Sequence, residues 1–460
     1  MVGARLLPWE EILSRVIDFP ADETGRRSSA AFGRHVVADA LRAADPAAAD
    51  AAAAQTDWRR GYLPHFRALV SAGLAGGYDV AAAGLAAVHH RMPVAIEAPE
   101  QPFETLTTAG RETRETEVVL PYGRELLRGD ALRQRLDAWV TAGVVEQSCA
   151  EAVREVMDNP DWLDLSDQRL VVIGAAAEMG PVPAVLGWGG TVVAVDLPAV
   201  WGRISALPSA GTVIAPARPG RDPGADLLTE LNAVAHWLDG IEGRLIVGNY
   251  LYAPGAAYVR LSVAFDALAV RLRASRDDVA LSFLATPTDV FAVPPPAVEQ
   301  STQRFRARSR RARVTGALSG GRLLQPNYRG DAINDSLVPQ QGPNYALAKR
   351  IQRWRASVAR RDGVVSFAVA PPTWTRSVTS NRLLAAAYAG AHLFDVEIFR
   401  PETANRLMAL LLVHQIRKPR PAAPLAWQDE AESAAHGGLW RTAYHPRTAL
   451  GLAAVRGFLP

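Results

Sequence analysis

The chain has 460 residues, with 50 Lys+Arg against 47 Asp+Glu for a formal net charge of +3, 49% hydrophobic and 21% charged residues, and one cysteine. That length suffices for two or three domains of ordinary globular composition, and the charge excess is too small to imply nucleic acid. Cys149 standing alone excludes an internal disulfide and a Cys-built zinc site.

The opening M-V-G-A-R-L-L-P-W-E-E reaches acidic residues before an apolar core forms, which argues against a secretion signal. No uninterrupted apolar run looks long enough to span a bilayer, so a cytoplasmic protein is expected. Residues 1–160 read as a mostly helical N-terminal domain: 35–55 and 58–91 are rich in Ala, Leu and Arg, and Leu132, Leu136, Trp139 and Val140 share one helical face. A short strand is expected at Glu117–Leu120, ended by Pro121. Asn159-Pro160 marks a boundary.

From about residue 165 to the end the texture changes. Apolar strands are expected at 170–173, 191–195, 212–215, 244–247, 279–284 and 364–369, several separated by helical stretches. This alternation predicts an α/β domain with a doubly wound parallel sheet of Rossmann type. Residues 290–343, rich in Pro, Gly and Arg, fit the alternation poorly and read as an insertion or lid.

The first strand ends at Gly174 and leads through Ala-Ala-Ala-Glu-Met to Gly180 and a helix; Asp196 closes the second strand. Glycine lets a backbone approach a pyrophosphate, a helix N-terminus offers unpaired N–H groups, and an acid after the second strand can accept from ribose hydroxyls, which favours NAD over NADP. An ordinary βαβ turn would carry the same glycines. Only two lysines occur, Lys349 and Lys418; the other 48 basic residues are arginine. Lys349 follows Tyr345 by one helical turn, so both side chains share a face. An ammonium there would favour the phenolate and pull the Tyr pKa toward neutrality, a general acid/base device.

In their order these motifs resemble the short-chain dehydrogenases/reductases over about residues 165–418. Gly174 and Gly180 match the first and last glycines of that family's T-G-x-x-x-G-x-G; Ile173 replaces its Thr and Glu178 its middle Gly. Asp196-Leu197 is similar to the acid ending the second strand, Asp226-Leu227-Leu228-Thr229 to the adenine-contacting D-L-T, and Asn249 to one Asn of N-N-A-G. Tyr345-x-x-x-Lys349, a helix to Arg360, a strand, and Ala370-Pro371-Pro372-Thr373-Trp374-Thr375 are similar to the family's Y-x-x-x-K, helix, strand, A-P-G and Thr, with Pro372 in place of the Gly. Arg400-Pro401-Glu402-Thr403-Ala404 looks like its P-E-E-I-A.

The resemblance implies hydride transfer between NAD, or NADP, and a carbonyl/alcohol pair, with Tyr345 as general acid/base and Lys349 on the nicotinamide ribose. Gly174, Met179, Gly180, Asp196, Leu197, Asp226, Leu227, Asn249 and Thr375 would line the cofactor. The family's Ser, about a dozen residues before the Tyr, is absent: position 332 is Ala332. Thr288 is the chosen substitute, with Thr286 and Ser319 as rivals. A small-molecule substrate and a homo-oligomer are compatible with this reading; nucleic acid and membrane partners are not expected. Two other classes stay open: a non-catalytic dinucleotide-binding or scaffold protein, and a cofactor-retaining dehydratase or epimerase.

Outside this set, six arginines from Arg304 to Arg313 could bind an anion but read first as a solvated basic face. His89-His90 lacks a third metal ligand at recognisable spacing. Tyr250 and Tyr252 line the pocket or pack, and Cys149 is a core residue.

Overall fold

Continuous Val, Ile and Leu runs suit strands buried on both faces, and the chain uses them that way. The computed structural model describes residues 17–458; the N-terminal stretch read against a secretion signal lies outside them. Seven strands form one sheet: β1 (Glu104–Ala109), β2 (Gln168–Ile173), β3 (Thr191–Val195), β4 (Thr212–Ala217), β5 (Arg244–Asn249), β6 (Val279–Ala285) and β7 (Val365–Val369). Their spatial order is β1-β4-β3-β2-β5-β6-β7. Only β1 is antiparallel to its neighbour; β2 lies between β3 and β5, with Val171 opposite Val193 and Val247. Without β1, the six parallel strands follow the 3-2-1-4-5-6 order of doubly wound sheets. The fold is therefore α/β and compatible with a Rossmann-like architecture.

The helices used below are α1 (Ser29–Arg42), α2 (Leu63–Arg91), α3 (Gln147–Asp158), α4 (Val182–Gly187), α5 (Ala256–Ser275), α6 (Pro295–Arg306), α7 (Arg310–Leu318), α8 (Gly342–Arg360) and α9 (Pro401–Arg417). Because strand side chains alternate, the sheet feeds two cores. Val171, Val193, Val247, Leu281 and Phe367 face one side, packed with Phe265 and Leu268 of α5 and Ile351 of α8. Leu170, Val172, Val192 and Ile246 face the other, packed with Leu407 and Leu411 of α9 and Val153 of α3. Each such side chain removed from water stabilises the fold by roughly 1.5–3 kcal/mol.

The helices ahead of residue 160 contribute to both cores. Phe66, Leu85 and Val88 of α2 join the α5/α8 side, while Leu132, Trp139 and Val153 join the α9 side. Among the described residues α2 is long and apolar enough by composition to cross a membrane, although the sequence showed no uninterrupted run. It is broken by a kink at Gly76 and packs against α1 and α8.

Two strand expectations need correction. Residues 117–119 are not strand: the hairpin is Leu120–Tyr122 with Glu125–Leu127, and Pro121 lies within it, paired to Leu126, rather than ending it. Edge strand β1 gave no sequence signal, because five of its six residues are exposed and its Glu-Thr-Leu-Thr-Thr-Ala lacks an apolar face. Residues 290–343 hold α6, α7 and a small ladder, Val290–Ala292 with Ile333–Asp335.

Candidate functional site

Strand order reverses between β2 and β5, and the carboxyl ends of such strands are the usual ligand position of an open α/β sheet. Gly174 leaves β2 at φ +90°, and a Cβ there would come within 2.8 Å of the Tyr250 carbonyl carbon and oxygen. That approach lets the Tyr250 N–H donate to Ile173 O at 2.9 Å. Asn249 ends β5 with 1% exposure. Its Oδ1 accepts from Leu251 N at 3.2 Å, while its Nδ2 has no partner among the described residues. A buried amide donor left unpaired costs about 1–3 kcal/mol, so this atom suits an acceptor arriving at these strand ends. Tyr250 packs: its ring fills the space over Gly248, and its hydroxyl meets Ser282 Oγ at 2.8 Å.

At the end of β3, Asp196 holds the glycine-rich loop. Its Oδ2 accepts from Ala176 N and its Oδ1 from Leu197 N, both at 2.8 Å, and Arg203 donates to Ala176 O at 2.8 Å. Asp226 accepts from Leu228 N at 2.9 Å and Leu227 is buried; their segment lies beside the end of β3, with Ala225 N donating to Asp196 O. Met179 packs on the α9-side core and Leu197 is exposed. Gly180 precedes α4, a helix of only six residues. Glu178 crosses to the segment after β7, accepting from Arg376 N and Arg376 Nε, both at 2.8 Å. Thr375 stands next to that clamp, its hydroxyl 2.9 Å from Ser377 Oγ.

Helix α8 begins at Gly342, whose φ of +76° allows the sharp entry, and Pro343 occupies its first turn. Tyr345 is half-buried against Tyr252 and Tyr258, with ring centroids 6.4 and 5.6 Å away. Lys349, one turn on, donates to Leu284 O at 3.0 Å and Gln352 Oε1 at 3.3 Å. Gln352 in turn donates to Ser262 Oγ at 3.1 Å and Tyr258 OH at 3.4 Å. Burial pushes the Tyr345 phenol above its ordinary value. The Lys349 ammonium and a hydrogen-bonding contribution from Thr286 act downward, but less strongly. The expected net lowering by Lys349 is therefore corrected: loss of water outweighs the nearby charge. Burial also lowers the Lys349 ammonium, opposed by Tyr345 and Asp289.

Thr286 and Thr288 lie on the loop after β6 with their hydroxyls 2.9 Å apart, and Thr288 accepts from Gln341 Nε2 at 2.9 Å. Ser319 is engaged locally, donating to Gly316 O and accepting from Leu323 N. A buried ionic cluster braces this helix. Arg353, 1% exposed, pairs with Asp289 at 2.7 Å and Glu430 at 2.6 Å, joining α8 to the loop after β6.

The structure thus brings Tyr345, Lys349, Thr286 and Thr288 together, and separately Gly174, Asp196, Leu197, Asp226 and Leu227. Sequence reasoning missed Tyr258, Ser262, Gln352 and Arg376. Gln352 had a readable signal, three residues after Lys349 on the same helix; Arg376 had none, standing 198 residues from Glu178. Lys418 forms an ordinary surface pair with Glu155 at 2.8 Å, unlike Lys349. His89 bonds Asp266 at 2.6 Å, and Cys149 is wholly buried. Cavities of about 170, 210 and 340 Å³ lie elsewhere and involve none of these residues. No protein-family model, curated protein or solved structure matches the chain.

Proposed function

We propose that the protein is an NAD(P)-dependent oxidoreductase that interconverts a carbonyl and an alcohol, with NAD the expected cofactor and NADP allowed. The observation that carries this reading is Tyr345 one turn before Lys349 at the start of α8, with the Thr286 and Thr288 hydroxyls paired on the loop after β6. Burial keeps the phenol protonated at neutral pH, so Tyr345 serves first as a proton donor to a carbonyl oxygen. Thr286 orients that oxygen, and Thr288 and Gln341 hold Thr286 and the helix start in place. Lys349, kept by Gln352, is suited to the nicotinamide ribose. The bare backbone at Gly174 and the unpaired Asn249 amide favour a dinucleotide at the ends of β2 and β5. Each Asp196 oxygen retains a lone pair for ribose hydroxyls beyond its backbone bond. Thr375 is the candidate partner for the carboxamide. When bound, the dinucleotide supplies or takes up the hydride. The mostly helical N-terminal region, in this reading, backs α8 through α2 and supports the sheet from both faces.

A non-catalytic dinucleotide-binding module is the second reading, favoured by Glu178, a carboxylate in a loop meant for phosphates. Its charge is neutralised by Arg376, which weakens the objection. Fluorescence titration with NADH and NADPH separates the two from a scaffold with no dinucleotide site. Tyr345→Phe is expected to reduce carbonyl turnover by about 10²–10⁴-fold with dinucleotide affinity unchanged. Equal turnover in that variant overturns the mechanism. Because the phenol pKa is raised, the phenol itself should not limit carbonyl reduction up to its free value of about 10, and any earlier fall should come from Lys349, whose ammonium burial lowers. Alcohol oxidation, which needs the phenolate, should still be climbing there.

A further inference from the structure

Charge is distributed unevenly along the chain. Residues 300–330 carry eight arginines and neither Asp nor Glu, a formal +8; the whole chain carries +3, so the remainder is −5. Most of these arginines lie on α7 and the end of α6. Arg304 is tied down, donating to Arg441 O at 3.0 Å and Ala142 O at 2.8 Å, and Arg308 lies 3.8 Å over the Phe305 ring. Arg310 and Arg311 have no ion-pair or hydrogen-bond partner among the described residues. Several exposed arginines elsewhere pair, as in Arg42–Asp50, Arg128–Glu117 and Arg420–Glu432, but none of the carboxylates that serve them lies in residues 300–330.

α7 itself buries no residue. Ala312, Thr315, Gly316 and Ser319 form its half-buried side, whereas Arg310, Arg311, Arg313, Val314, Ala317 and Leu318 are exposed. At 3.6 residues per turn, Val314 and Leu318 project between Arg310 and Arg311. They are 56% and 84% exposed. An apolar pair is thus displayed to solvent between two unpaired guanidinium groups, Arg310 and Arg311.

We infer that this face of α7 docks on an anionic lipid bilayer surface. Lipid phosphates attract unpaired arginines, and the acyl boundary accepts the Val314 and Leu318 side chains, so one partner satisfies both halves of the face. A nucleic-acid backbone would neutralise the arginines but leave Leu318 in water. Two apolar side chains and a short helix make the attachment reversible and salt-dependent. The inference stands apart from the proposed oxidoreductase chemistry.

The test is co-sedimentation of the full-length protein with phosphatidylcholine vesicles, with and without about 30% phosphatidylglycerol, at low and high salt. Sedimentation is expected with the anionic vesicles alone and should fall away at high salt. Arg310→Glu with Arg311→Glu should weaken it by about tenfold or more. Leu318→Asp should weaken it several-fold, with the circular dichroism spectrum unchanged because α7 buries nothing. Absence of sedimentation at low salt overturns the inference. Loss in the charge variant with full binding by Leu318→Asp, together with retention of duplex DNA, would also overturn it and mark a nucleic-acid surface instead.

Discussion

Around the glycine-rich loop after β2 the polar groups are tied to the protein's own backbone, whereas at the start of α8 they are tied mainly to one another. Asp196 accepts from Ala176 N and Leu197 N, and Glu178 is clamped by Arg376. Tyr345, Lys349, Gln352, Ser262 and Tyr258 instead form a chain of side-chain contacts, with Lys349 also reaching a strand carbonyl. The first arrangement shapes a loop and must share or exchange its contacts when a ligand arrives. The second holds reactive groups in place beforehand, which is how a site lowers the cost of organising itself during reaction.

Four substitutions bear on this contrast, in falling order of expected effect. On α8, Asp289→Ala leaves the buried Arg350 without its carboxylate and Arg353 with Glu430 alone. It should cost about 3–5 kcal/mol in urea unfolding and loosen α8; a loss under 1 kcal/mol would show that this helix is not braced by the cluster. Gly174→Ala meets both a φ of +90° and the Tyr250 backbone at 2.8 Å. The expected loss is about 2–4 kcal/mol by the same measurement, with dinucleotide binding weakened. Thr286→Val should reduce kcat about tenfold more than Thr288→Val, since Thr286 is the hydroxyl assigned to the carbonyl oxygen; the reverse ranking would return the role to Thr288. Glu178→Gly removes a half-exposed clamp, changing stability by no more than about 1 kcal/mol and freeing Arg376. Dinucleotide affinity should rise by about three- to tenfold in a fluorescence titration. An unchanged or weaker affinity would mean that the clamp supports the loop rather than competing with the ligand.

Much of the frame was legible because its signals are local. The runs at 170–173 and 191–195 are continuous and apolar, as strands covered on both faces must be, and Tyr345 and Lys349 share a face at any helical spacing of four. β1 was not legible because an exposed edge strand has no apolar pattern, and the 117–120 expectation shifted because a three-residue hairpin strand is too short to declare its ends. Thr286 and Thr288 lie on one loop with hydroxyls 2.9 Å apart, so residue type and chain position do not rank them.

Sequence periodicity and residue type alone determined the α/β class, most strand positions and the pairing of Tyr345 with Lys349, since each depends on neighbours a few residues apart. Tertiary packing decided the remainder. Desolvation set the direction of the Tyr345 pKa against the Lys349 charge, and contacts across hundreds of residues gave Glu178 its arginine and Lys349 its glutamine-linked network. Burial and long-range pairing arise only when distant segments share one core, so no local pattern can encode them.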